Sequence, residues 1–219
     1  MRVAAGVMVL ALALGVVARA ATAQSNGPLT REQALAGIKS ADLETRRRAA
    51  AWLGEVGLMP DAPALLGALT DDDEVVRALA EHSVWEVWSR SGDAEADQLL
   101  QTGIEQMSRG DGPGAVETFT KVIEKKPDFA EAWNKRATVL FLMGENEKSL
   151  HDCDEVIKRN PAHFGALAGY GQIYLRLDQP ERALAYFRRA YRINPNLQGV
   201  GEIIPRLEQL LNERRKGTI

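Results

Sequence analysis

Three patterns of hydrophobic and polar positions follow one another along the chain. Val3 to Val17 is an apolar run broken only by Gly6 and Gly15. From Thr30 to Asp93 a mixed pattern repeats at a period of 30: Leu35 and Gly37 recur as Leu65 and Gly67, Ser40 as Thr70, Asp42 as Asp72, Glu44 as Glu74, Arg47 as Arg77 and Ala50 as Ala80. Each unit reads as a short apolar helix, a Ser/Thr-x-Asp turn whose side-chain oxygen can cap the next helix, and a longer helix carrying Arg and small Ala residues. Small residues at fixed places let neighbouring helices pack closely.

From Ala96 onward the period becomes 34. Pro127, Pro161 and Pro195 share that spacing, as do Phe119, Cys153 and Phe187, then Ala115, Ser149 and Ala183, then Gly103, Ala137 and Gly171. The pattern predicts helix pairs whose small residues meet where the two helices cross, with an aromatic filling the space between repeats and a proline ending the second helix. Such a pair cannot bury its apolar face alone, so stacking is obligatory. At the end of the chain Ile203, Ile204, Leu207, Leu210 and Leu211 form one helical stripe, with Glu202, Glu208, Gln209, Asn212, Glu213 and Arg214 mostly elsewhere. Pro205 falls in the first turn of that helix, where a missing N–H does little harm. The short linker Ser91-Gly92-Asp93 predicts that the earlier helix pairs dock on the first of the 34-residue units.

The first segment has a different character. Met1-Arg2, the apolar run and the small residues Ala18-Arg19-Ala20-Ala21-Thr22-Ala23 before Gln24 have the layout of a signal peptide, residues 1–23. Fifteen helical residues span roughly 22 Å, short of a bilayer core. Cleavage is expected after Ala23 or after Ala20, and no cysteine lies near either site to take a lipid. The expected location is periplasmic or secreted; the alternative is an uncleaved anchor that tethers the repeats to a membrane.

Composition narrows the function. The chain has 219 residues, 45% of them hydrophobic and 26% charged, enough for a sizeable core. A formal net charge of −3 provides no field for nucleic acid, which requires clustered Lys and Arg. The single cysteine, Cys153, cannot form an internal disulfide.

The residues of the 30-residue units, Thr30 to Asp93, resemble short HEAT-like repeats of the kind found in bilin-lyase-type proteins. That resemblance implies that Asp42, Asp72, Arg47 and Arg77 bond between successive repeats as a structural ladder. The 34-residue units resemble tetratricopeptide repeats: Gly171-x-x-Tyr174, Ala183, Phe187 and Pro195 in the third, and Trp133, Ala137, Ser149 and Pro161 in the second. The first departs from the pattern, with Gln106 where the third has Tyr174 and Leu99 where the second has Trp133. Together the resemblances imply an all-α, right-handed α-solenoid of helix-turn-helix repeats: HEAT-like pairs over 30–93, tetratricopeptide repeats over 96–129, 130–163 and 164–197, and a capping helix and tail over 199–219.

No catalytic or metal constellation can be assembled, so neither an enzyme nor a cofactor is expected. His151 and Cys153 stand two apart on a helix and face about 200° apart. Cys153 shares the register of Phe119 and Phe187, which marks it as a buried filler. The run Asp71-Asp72-Asp73-Glu74 suits a helix start. Gly110-Asp111-Gly112-Pro113-Gly114 reads as a turn and not as a phosphate loop. Trp52, Trp85 and Trp88 are read as core or interface residues; a chromophore or small-ligand platform in the HEAT-like part is the rival reading.

The resemblance to tetratricopeptide repeats implies a concave face, lined by the first helix of each repeat, that holds a protein or peptide partner. The candidate groove residues are Met107, Asn134, Thr138, Phe141, Gln172 and Leu175, within a wider inward set that includes Leu100, Ile104 and Ala168. Met107, Phe141 and Leu175 recur at 34 as an apolar stripe that either forms a groove or packs internally; Asn134, Thr138 and Gln172 offer neutral hydrogen bonds. Some members of that family clamp a C-terminal carboxylate with Lys, Asn and Arg. The equivalent positions here are Leu100, Ile104, Lys135, Gly165 and Gly169, which argues against such a clamp. The expected function is an exported protein-interaction adaptor without catalysis.

Overall fold

The computed structural model describes residues 27–217, so the expected signal segment lies outside the described residues. Eleven α-helices follow one another as an all-α helical-repeat solenoid, with no strand among the described residues. The amino-terminal helices are α1 (Arg31–Gly37), α2 (Leu43–Val56), α3 (Ala62–Ala68), which a single 3₁₀ turn precedes, and α4 (Glu74–Trp88). They lead into three antiparallel pairs: α5 (Ala94–Ser108) with α6 (Gly112–Lys125), α7 (Ala130–Leu142) with α8 (Asn146–Arg159), and α9 (Phe164–Arg176) with α10 (Pro180–Ile193). The final helix is α11 (Gln198–Arg215), with Pro205 inside it.

Short-range chemistry sets the helix starts. Thr30 and Gln33 form a reciprocal capping box at α1. Asp42, Asp73, Asp93 and Asp111 each accept a backbone N–H from the first turn of α2, α4, α5 and α6. The turns inside the three pairs share one backbone form: Gly110, Gly144 and Asp178, spaced by 34, all have positive φ, 81°, 84° and 52°. Glycine takes that conformation freely, and aspartate is among the few other residues that tolerate it.

Where the helices of a pair cross, residue sizes compensate. The rings of Phe119 and Phe187 lie directly on Gly103 and Gly171, so close that a Cβ on either glycine would fall within 2.5 Å of ring carbon. In the middle pair the first helix carries Ala137, and the facing position shrinks to the buried Cys153. The aromatic therefore fills the space above a glycine within its own repeat, and in the middle pair the small residues also meet, the Ser149 hydroxyl donating to the Ala137 carbonyl at 2.7 Å.

In the amino-terminal pairs the structural period is 31, not 30. The caps Asp42 and Asp73 are 31 residues apart, and so are Arg46 and Arg77, which bond in the same way. Arg46 donates to the carbonyls of Ser40 and Ala41, and Arg77 to those of Asp71 and Asp72. Helix phase and capping fix the alignment, and the residue identities that match at 30 lie one step out of it. The expected ladder changes accordingly. Arg46 takes Asp71 in a two-point contact at 2.8 and 3.1 Å, and Arg47 takes Asp73 at 3.0 and 2.8 Å. Asp72 is exposed, and Asp42 bonds Thr45 at the head of its own helix.

The amino-terminal pairs do not dock on the first 34-residue unit. Their core is continuous with Phe164, Leu167 and Ala190 of the third, whereas the core of α5, α6 and α7 contains none of their residues. The reason lies on one face of α4, where Arg77, Glu81, Trp85 and Trp88 recur at helical spacing. Trp85 lies against Gly165, whose missing side chain makes room for the indole, and meets Phe164 edge-on at 5.1 Å. Trp88 stacks on the His163 ring at 4.5 Å. Arg77 reaches Asn196, in the loop before α11, at 3.1 Å, and Asn196 donates to the Leu69 carbonyl at 2.9 Å. Asn196 thus receives Arg77 much as Asp71 receives Arg46, and the loop stands where a further amino-terminal unit would begin.

Candidate partner-binding cleft

The docking of α4 gives the inner surface a wall that the three helix pairs do not supply themselves. Ala168, Gln172 and Leu175 project from one face of α9 at spacings of four and three. Opposite them stand Glu81 of α4 and, at the start of α11, Leu197, Val200 and Ile203; together they border a cleft of about 580 Å³. Its floor is mostly aliphatic. Its polar groups are the Glu81 carboxylate, the exposed Gln172 amide and the Asn196 and Gln198 amides.

The six residues expected to form a groove have separate fates. Gln172 and Leu175 border this cleft. Asn134, Thr138, Phe141 and Gln172 line a narrow crevice of about 40 Å³ between α7 and α9. Its polar groups are partly spent: Asn134 is buried and donates to Glu131 Oε2 at 3.1 Å, and the Thr138 hydroxyl donates to the Asn134 carbonyl at 2.9 Å. Phe141 is half-buried beneath the Arg176 guanidinium, 3.6 Å from the ring centre. Met107 is set apart, half-buried against the core of α5, α6 and α7. Glu81, Leu197, Val200 and Ile203 were not among the expected groove residues. The signal for Glu81 was the stripe it forms with Arg77, Trp85 and Trp88; nothing local ties the start of α11 to the same site.

Beside the cleft lies a buried polar cluster that holds α4, α7 and α9 together. Glu131 and His163 are both enclosed, and His163 Nε2 lies 2.9 Å from Glu131 Oε2. His163 Nδ1 accepts the Ala166 N–H at 3.1 Å, which leaves the ring proton on Nε2, donated to Glu131. Lys135 Nζ sits 2.9 Å from the other carboxylate oxygen. Burial pushes the Glu131 carboxyl up, but the hydrogen bond from His163 and the neighbouring Lys135 ammonium outweigh it and hold the group below its ordinary range.

Little here can do covalent chemistry. Burial, with Asp152 and Asp154 adding to it, pushes the Cys153 thiol up to about 12, far from a thiolate. Among the described residues no three His, Cys, Asp or Glu side chains are grouped to hold a metal. A second hollow of about 450 Å³, between α6, α7 and α8, is bordered by Arg136, which is already locked to Asp152 at 2.7 and 2.8 Å and to the Thr120 hydroxyl.

Stacked antiparallel helix pairs with a walled inner cleft define a helical-repeat solenoid. Residues 143–197 match the tetratricopeptide repeat family, so the chain carries repeats of that kind. A TPR repeat-containing protein of Rhizobium etli is 35% identical over 108 residues, which are 49% of this chain and 53% of that protein. The chain thus spans about half the length of that relative, and only 17% of the length of the anaphase-promoting complex subunit 7 of Dictyostelium discoideum, to which it is also similar. Among solved structures, the first TPR of Spaghetti (RPAP3) bound to the HSP90 peptide SRMEEVD superposes with a TM-score of 0.52 at 21% identity, over 55% of this chain and 96% of that one. The TPR2B domain of yeast Sti1 in complex with an Hsp70 peptide gives 0.51 at 18% identity, over 54% and 99%. At these identities the likeness is one of fold.

Proposed function

We propose that the protein is an exported adaptor that holds a segment of a partner protein in the cleft between α4, α9 and α11 and performs no catalysis. The observation that carries this reading is the cleft itself: aliphatic side chains along the floor, the exposed amides of Gln172 and Gln198 at the rim, and helices on three sides. Two proteins of the same repeat fold are described in complex with peptides, which supports a peptide as the kind of ligand. The amino-terminal pairs are read as short HEAT-like repeats; the arginine-to-aspartate contacts between successive units support that reading, and their role is to supply the α4 wall.

The test is partner capture from the envelope fraction of the producing cell, with the protein and its Gln172→Trp variant as baits. Gln172 is exposed, so an indole there blocks the cleft without entering the core. A partner held by the first and lost by the second, at equal helical content, supports the reading; equal retention by both refutes it. Export is tested separately by sequencing the amino terminus of the protein recovered outside the cytoplasm. A start at Gln24 or Ala21 is expected, and a start at Met1 refutes cleavage.

A further inference from the structure

We infer that the cleft selects a cationic partner segment, one that seats an aliphatic side chain against Leu175, Val200 and Ile203 and brings a Lys or Arg head group to Glu81. The inference rests on the reading above that the cleft receives a peptide, and it adds the chemistry of what is received. Glu81 is the one charged residue at the border of the cleft, it is partly exposed, and it makes no ion pair among the described residues. The cations near it are committed elsewhere. Arg77, one turn earlier on α4, is held by the carbonyls of Asp71 and Asp72 and by Asn196. Lys135 is tied to Glu131 and lies 5.8 Å from the centre of the Trp85 ring.

The neighbouring acid on the first helices does not alter this balance: Glu131 is buried and already paired with Lys135, so neither of the two offers a charge to the cleft. The arginines of α10 border another surface: Arg182 lies over Tyr174, Arg189 over Tyr186, and Arg188 pairs with Glu208 at 2.7 Å. An acidic segment would meet an uncompensated carboxylate here. A Lys or Arg can lay its methylene stem along the aliphatic floor while its head stays hydrated beside Glu81. The acidic peptide SRMEEVD held by the RPAP3 domain has the opposite charge from the segment this cleft favours.

The experiment pans a phage-displayed library of random twelve-residue peptides against the purified protein, then titrates fluorescein-labelled copies of the selected peptides by anisotropy. Enrichment of Lys or Arg within about two residues of Leu, Ile or Met is expected. Glu81→Gln is expected to weaken those peptides by about two- to fivefold, the range of an exposed ion pair, and Glu81→Lys to shift selection toward acidic peptides. Gln172→Trp is expected to abolish binding with helical content unchanged. Enrichment of Asp or Glu, or basic peptides indifferent to Glu81→Gln, overturns the charge inference while leaving the cleft as the binding site if Gln172→Trp still blocks. Failure to select any peptide that Gln172→Trp blocks overturns the cleft reading and this inference with it.

Discussion

Gly171→Ala tests the idea that each repeat is sized by the pair of residues at its helix crossing. A Cβ at Gly171 would lie 2.5 Å from Cε1 of Phe187 and 2.6 Å from Cδ1 and Cζ. Ordinary contact begins near 3.4 Å, so the ring must retreat by roughly 0.9 Å inside a core where Phe187 is 2% exposed. Overpacking of this kind costs about 1–3 kcal/mol, and the helical preference of Ala over Gly offsets up to ~1 kcal/mol. The expected net loss is about 1–2 kcal/mol. At roughly 2–4 °C per kcal/mol for a chain of this size, the melting midpoint should fall by about 2–8 °C. Gly67→Ala is the control: nothing lies within 4 Å of a Cβ there, and the residue is inside α3, so the same substitution should be neutral or stabilising by up to ~1 kcal/mol. Thermal unfolding monitored by circular dichroism reads both. A further arm places Phe187→Cys in the Gly171→Ala background, which reproduces the Ala137 and Cys153 pairing of the middle repeat; it should cost at least 1 kcal/mol less there than in the parent, since the two positions are coupled. A Gly171→Ala variant as stable as the parent, or additive double-variant energies, would refute the size-matching argument.

Gly165→Val should unseat Trp85, whose Cη2 would lie 2.5 Å from the new Cβ, and so release α4 from α9; the expected readout is a red shift of tryptophan emission and faster amide exchange in residues 31–88 than in residues 94–160. The hydrogen bond from Arg47 holds the Asp73 carboxyl down to about 2 from an ordinary 3.8. Because the folded value is depressed, its stabilisation is present above about pH 4 and is lost as the pH falls toward 2. Asp73→Asn should therefore lower stability at neutral pH and flatten acid unfolding across that window, as chemical denaturation at several pH values would show. Cys153, with its thiol pushed up to about 12 by burial, should resist a thiol reagent at pH 8 in the folded protein and react at once in denaturant; rapid labelling of the native protein would contradict its buried place.

The amino-acid sequence by itself determined the features that are local or periodic. The 34-residue spacing of Gly103, Ala137 and Gly171 against Phe119, Cys153 and Phe187 specifies antiparallel helix pairs, because each partner lies within its own repeat, sixteen residues away. The caps at Asp42, Asp73, Asp93 and Asp111 act over two or three residues, and the positive-φ turns at Gly110 and Gly144 over one. Two features were decided only in three dimensions. The period of the amino-terminal pairs is set by which face of each helix is buried, and residue identity alone places it one position out. The docking of α4 depends on surfaces distant in sequence that match in shape: a vacancy at Gly165 that admits Trp85, a ring at His163 for Trp88 to stack on, and an amide at Asn196 to receive Arg77. None of those partners carries a local mark of the contact it makes. The cleft is built from α4, α9 and α11 together, so its place and its charge at Glu81 come from that docking and from no single segment of the chain.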